Sequence, residues 1–151
     1  MKWSVCALLA AVIISSCIGQ EEFTVTDITF CNAEPFERSY NINPDAFYTA
    51  RDIVWIYVEA FRFTSLERGE GYISCFDATV EVFDAQGVSQ GDVIQSIEIP
   101  SDTEPSFVWF KFWIDTIDLN EGIYTVVVTI TDAISGERAA TEGTFSVVGT
   151  S

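Results

Sequence analysis

An all-β sandwich is the fold this sequence predicts, and three observations carry that prediction. β-Branched and aromatic stretches alternate with turn-forming clusters, no long segment spaces its apolar residues at helical intervals, and seven stretches reach strand length. They cover 23–31, 52–63, 72–83, 93–99, 107–115, 123–132 and 141–148. The 151 residues suffice for one domain behind a short leader, and 48% hydrophobic with 14% aromatic residues can bury enough surface to offset chain entropy.

The first strand, Phe23 to Cys31, leads into a link from Asn32 to Arg51 that carries Pro35, Phe36, Tyr40, Ile42, Pro44, Phe47 and Tyr48. So apolar a link is predicted to pack across the body of the domain rather than move in solvent. In the second strand alternation turns Val54, Ile56, Val58 and Ala60 inward, and in the third Phe76, Ala78, Val80 and Val82. Asp84-Ala85-Gln86-Gly87 then supplies a turn before the fourth strand. The fifth strand sends Val108, Phe110, Phe112 and Ile114 inward, and the sixth, after the turn Asn120-Glu121-Gly122, Val126, Val128 and Ile130. Ser135-Gly136-Glu137 turns the chain into the last strand. Two such sheets face to face enclose a core about 10 Å thick.

Of four cysteines, Cys6 falls in the leader and Cys17 is taken by the predicted lipid attachment, so Cys31 and Cys75 remain. In an oxidising compartment the pair predicts a disulfide, which on the chain-entropy model would contribute roughly 4 kcal/mol. Against it, Cys75 alternates with Asp77, Thr79 and Glu81 on the outer side of its strand, which allows two separate thiols instead.

Seven Lys plus Arg against 23 Asp plus Glu give a net charge of -16, which repels nucleic-acid phosphates and excludes that class of partner. The chain has no histidine, no Gly-x-Ser-x-Gly elbow, no Cys-x-x-Cys and no glycine-rich phosphate loop. No catalytic residue and no cofactor is therefore predicted, and the protein is read as a non-enzyme. A carboxylate pair such as Glu59 and Glu81 reads as solvated surface. Asp115, Asp118, Asn120 and Glu121 crowd one loop; the spacing matches no EF-hand, so calcium stays a weak alternative to an acidic turn in water.

The leader itself has Lys2, an apolar run from Trp3 to Ile14, and Ile14-Ser15-Ser16-Cys17. That pattern predicts a lipoprotein signal over 1–16, an acylated Cys17 opening a tether over 17–22, and a domain over 23–151. A spanning helix would need about 20 apolar residues. Lipid attachment places the protein on the outer face of the cytoplasmic membrane; cleavage before Gln20, after Cys17-Ile18-Gly19, is the alternative and gives a secreted protein.

Two stretches carry a family resemblance. Leu119-Asn120-Glu121-Gly122-Ile123-Tyr124, followed by alternating valines, looks like the penultimate strand of immunoglobulin-like modules on prokaryotic surface proteins. Asp52-Ile53-Val54-Trp55-Ile56-Tyr57-Val58-Glu59 is similar to the second strand of small archaeal and bacterial lipoproteins with such a domain. The resemblance implies a seven-stranded immunoglobulin-like sandwich in which Tyr124 bonds back to the corner backbone, and in which the second and fifth strands are neighbours. Trp55, Tyr57 and Phe61 would then share one outer face with Phe107, Trp109, Lys111 and Trp113. Such a face is either a contact surface for a protein or polysaccharide at the cell surface, or a minor core covered by the 32–51 link.

Overall fold

The computed structural model describes residues 21–149, so the leader and the expected lipidation at Cys17 lie outside the described residues. Within them ten strands form two sheets. β1 (Thr24–Val25), β2 (Thr29–Cys31), β3 (Phe47–Thr49) and β4 (Ile53–Phe61) come first, then β5 (Leu66–Arg68), β6 (Gly71–Phe83) and β7 (Ser89–Ser101). β8 (Phe107–Asp115), a 3-10 turn (Thr116–Asp118), β9 (Gly122–Asp132) and β10 (Arg138–Val148) complete the chain.

In the smaller sheet β4 is central, with β8 along one side and β1 and β2 in series along the other. The larger sheet runs β3-β10-β9-β6-β7, and β5 occupies the start of β6 on the side where β9 has ended. All pairings are antiparallel except β3 with β10. From β1 the chain runs through the smaller sheet and crosses to the edge of the larger one between β2 and β3, an immunoglobulin-like arrangement. The corner tyrosine sits as the resemblance implied: the Tyr124 hydroxyl donates to the Asn120 carbonyl at 2.7 Å.

Alternation located the core. Val54, Ile56, Val58 and Ala60 on β4 are fully buried, facing Phe76 and Ala78 on β6 and Val126, Val128 and Ile130 on β9. Phe76 is the aromatic hub, with its ring centroid 5.2 Å from those of both Phe63 and Phe110. Asp132 is buried at the end of β9, where its carboxylate accepts the Thr64, Ile134 and Ser135 amides at 2.7, 3.0 and 3.3 Å. A buried carboxylate without such donors would be costly.

Four expectations need correction. The first strand is broken into β1 and β2, because the Thr26 hydroxyl accepts the Glu59 amide at 3.0 Å where a ladder carbonyl would otherwise serve. β3 and β5 are additional, each only three residues long and too short to show an alternation. β7 and β10 begin earlier than their apolar stretches, since main-chain pairing to β6 and β9 continues through polar positions. The Cys31–Cys75 bridge is not formed. Both thiols are free, Cys31 on the outer side of the smaller sheet opposite Trp55 and Cys75 on the outer side of the larger sheet opposite Glu98. Two stacked sheets lie about 10 Å apart, beyond the reach of a disulfide.

Candidate functional site

The β4–β8 register sets the outer face of the smaller sheet as a ladder of cross-strand pairs: Trp55 with Trp113, Tyr57 with Lys111, Glu59 with Trp109, and Phe61 with Phe107. Every residue predicted for this face is on it. The segment 32–46, on its way from β2 to β3, lies across the ladder as a strap.

The strap holds its own shape through paired hydrogen bonds between the Phe36 and Ser39 backbones, and Asn32 and Asn43 anchor its ends on Asn41 and Phe30. From that frame Phe36 meets Trp109 edge-on at 5.7 Å, and Tyr40 packs on Tyr57 at 4.7 Å. The guanidinium carbon of Arg38 is 4.0 Å from the centre of the Phe107 ring, a cation–π contact. The same guanidinium donates to both carboxylate oxygens of Glu59, at 2.8 and 3.1 Å, while the Tyr57 hydroxyl donates to Glu59 at 2.8 Å. Lys111 pairs with Glu34 of the strap.

The electrostatics follow from this enclosure. Hydrogen bonding from Arg38 holds the Glu59 carboxyl below the usual carboxylate range; burial opposes that shift and the Tyr57 hydroxyl supports it. Burial raises the Tyr57 hydroxyl, and its bond to Glu59 raises it further. In β3, just past the strap, burial pushes core residue Tyr48 up to about 12, and its hydroxyl donates to the Cys31 carbonyl at 2.9 Å. Glu59 is only 8% exposed, so its reading as a solvated surface carboxylate is corrected. Glu81 lies on the larger sheet, and the two carboxylates do not meet.

Coverage ends before the last rung. Trp113 is 64% exposed and its ring centroid is 6.1 Å from that of half-buried Trp55, with the planes 50° apart. The predicted face is thus divided: Tyr57, Phe107, Trp109 and Lys111 lie under or against the strap, and Trp55 with Trp113 forms its open end. Arg38 and Glu34 were not singled out from the sequence. Arg38 is one of only seven basic residues in a very acidic chain, and a cation placed among the aromatics of a link was the available signal.

The carboxylates of Asp115, Asp118 and Glu121 do not converge on one point. The Asp115 carboxylate caps the 3-10 turn by accepting the Ile117 amide at 2.9 Å, and among the described residues no three Cys, Asp or Glu side chains converge as metal ligands.

No protein-family model matches the chain, and no curated protein matches it in sequence. Among solved structures it is similar to the CARDB domain of a Pyrococcus furiosus protein, solved in complex with di-metal ions. The identity is 14% and the TM-score 0.39, with 85% of this chain and 94% of that one covered. It is also similar to part of a family 123 glycoside hydrolase from Clostridium perfringens, at 8% identity and a TM-score of 0.49, over 85% of this chain. The chain spans 28% of that hydrolase. Likenesses this distant add nothing to what the two sheets already establish, and neither the metal ions of the first nor the activity of the second passes to this chain.

Proposed function

We propose that the protein is a non-enzymatic, lipid-anchored immunoglobulin-like module on the outer face of the cytoplasmic membrane, which contacts a surface partner through the open end of its aromatic face. The observation that carries this reading is the exposure of Trp113 beside Trp55, beyond the rungs at Tyr57 and Trp109 that the strap packs against. A large indole left in water at the edge of an ordered aromatic cluster is the kind of anchor that dominates protein interfaces.

The absence of histidine from the sequence and the mutual satisfaction of Arg38, Glu59 and Tyr57 support the non-enzymatic part: among the described residues the two buried carboxylates, Glu59 and Asp132, are both engaged by their neighbours. Attachment through Cys17 is supported by the leader sequence. Stacking on a polysaccharide is the alternative; it favours rings in one plane, and the 50° between Trp55 and Trp113 leaves a single ring to stack on.

Recovery of partners from solubilised envelope tests the contact. Trp113→Ala is expected to lose a partner that wild type and Phe36→Ala retain, and an unchanged set of partners would overturn the reading. Intact mass of the mature chain tests the anchor: an acylated Cys17 supports it, and an unmodified amino terminus at Gln20 refutes it.

A further inference from the structure

The contact site at Trp113 adjoins an unpaired strand. β8 is bonded to β4 along one side only, and among the described residues no strand pairs with its other side. Its nine residues contain no proline, no glycine and no bulge, and Lys111 and Asp115 are its only charged side chains. Half of its peptide groups therefore point to an open edge in a straight, mostly apolar strand, where proteins ordinarily place charges, prolines or irregularities to prevent pairing.

The facing edge of the larger sheet is also free. Among the described residues β7 pairs only with β6, and its Val93 and Ile94 are exposed on opposite faces. Between the two edges the sandwich is open along its flank. Near Trp113 there is a cleft of about 370 Å³ with walls formed by Val82, Val93, Phe112, Ile114 and Leu119. Toward the other end of β8 a second cleft, of about 590 Å³, reaches Ile97, Ile99 and Val108.

Charge distinguishes this flank. The first cleft is rimmed by Asp92, Asp115 and Asp118 and the second by Glu37 and Glu104, with no lysine or arginine lining either. None of these five carboxylates has a salt-bridge partner among the described residues. A second copy of the chain is a poor occupant. Each copy carries -16, so two copies repel one another.

We propose that β8 takes up an extended segment of a partner protein by strand addition, and that the segment alternates apolar with basic residues. Its backbone satisfies the open edge of β8. Because successive side chains point to opposite faces, the apolar ones enter the clefts between the sheets. The basic ones lie outward beside Trp113 and Asp115 on the outer face of β8, where ring face and charge attract a cation, while Lys111 on that face is already paired with Glu34. This rests on the reading of the Trp113 end as a contact site and names what is bound there.

The test uses the mature full chain and three synthetic peptides of about eight residues, a length matched to an ordinary strand. One alternates valine with lysine, one valine with glutamate, and one is the lysine peptide with every amide N-methylated. The lysine peptide is expected to slow amide hydrogen exchange over 107–115 by about tenfold or more, and both controls to bind at least about tenfold more weakly. Equal binding of the N-methylated peptide, or unchanged exchange in β8, would overturn strand addition. If exchange in β8 is unchanged while Trp113→Ala still loses its envelope partner, strand addition fails and the contact reading stands.

Discussion

Inward from β4, Val54, Ile56, Val58 and Ala60 meet the aliphatic and aromatic side chains of a second sheet; outward, Trp55, Tyr57, Glu59 and Phe61 meet an irregular strap. Both sides of the strand exclude water over most of its length, yet their chemistry differs. A sheet covers its neighbour evenly, so small interchangeable aliphatic residues suffice on the inner side. A strap covers unevenly, and the outer side is held by individual contacts: two ring pairs, a bidentate ion pair with a tyrosine hydroxyl in support, and a second ion pair between Lys111 and Glu34. Loss of one contact from an even interface leaves a hole, whereas loss of one from a strap releases a segment. The inner side therefore governs global stability and the outer side governs local opening.

The largest expected effect lies on the inner side. Phe76→Ala removes the hub touching Phe23, Phe63 and Phe110 and is expected to destabilise the domain by about 3–5 kcal/mol, read as a lower denaturant midpoint at unchanged slope. A midpoint close to wild type would show that the two faces are not divided in this way. On the outer side, Phe36→Ala removes one edge-on ring contact with Trp109, worth about 1 kcal/mol. It is expected to accelerate amide exchange over 32–46 about fivefold while β4 stays protected. Equal acceleration in strap and β4 would mean the strap does not open separately.

Acid sharpens the same contrast. Glu59 is held below its ordinary value of 4.5, so its contribution is fully present above that pH and is lost as pH falls through the lowered value. Strap amides, measured relative to β4 amides, should lose protection in that acidic range in wild type. Glu59→Gln should show reduced strap protection already at neutral pH and no further titration there; a titration identical to wild type would assign the loss to another group. The smallest effect is at the uncovered rung. Trp113→Ala is expected to leave the unfolding free energy within about 0.5 kcal/mol of wild type, because its ring is mostly in water already.

The same division decided what could be read from the sequence. The inner residues of β4, β6 and β9 were legible because a sheet buries every second side chain, a period written directly in the order of residues. The outer ladder was legible as a set of aromatic residues, since the β4–β8 register aligns them, but its cover was left open between strap and solvent. Strap contacts follow no period: Arg38 reaches Glu59 across 21 positions of irregular backbone, and nothing in local spacing pairs them. Glu59 read as surface because alternation assigns a side of the sheet and not what lies over that side. The Cys31–Cys75 bridge failed for a related reason, since both residues point outward, but from opposite sheets.

The distinction between covered and open rungs is measurable residue by residue. With 5-fluorotryptophan incorporated, the fluorine resonances of Trp55, Trp109 and Trp113 can be compared for broadening by a soluble paramagnetic quencher. Trp113 should broaden strongly, Trp55 partly, and Trp109 least, beneath Phe36 and beside Tyr57. Equal broadening of Trp109 and Trp113 would mean that the strap does not cover the face and that the outer ladder is a single open surface.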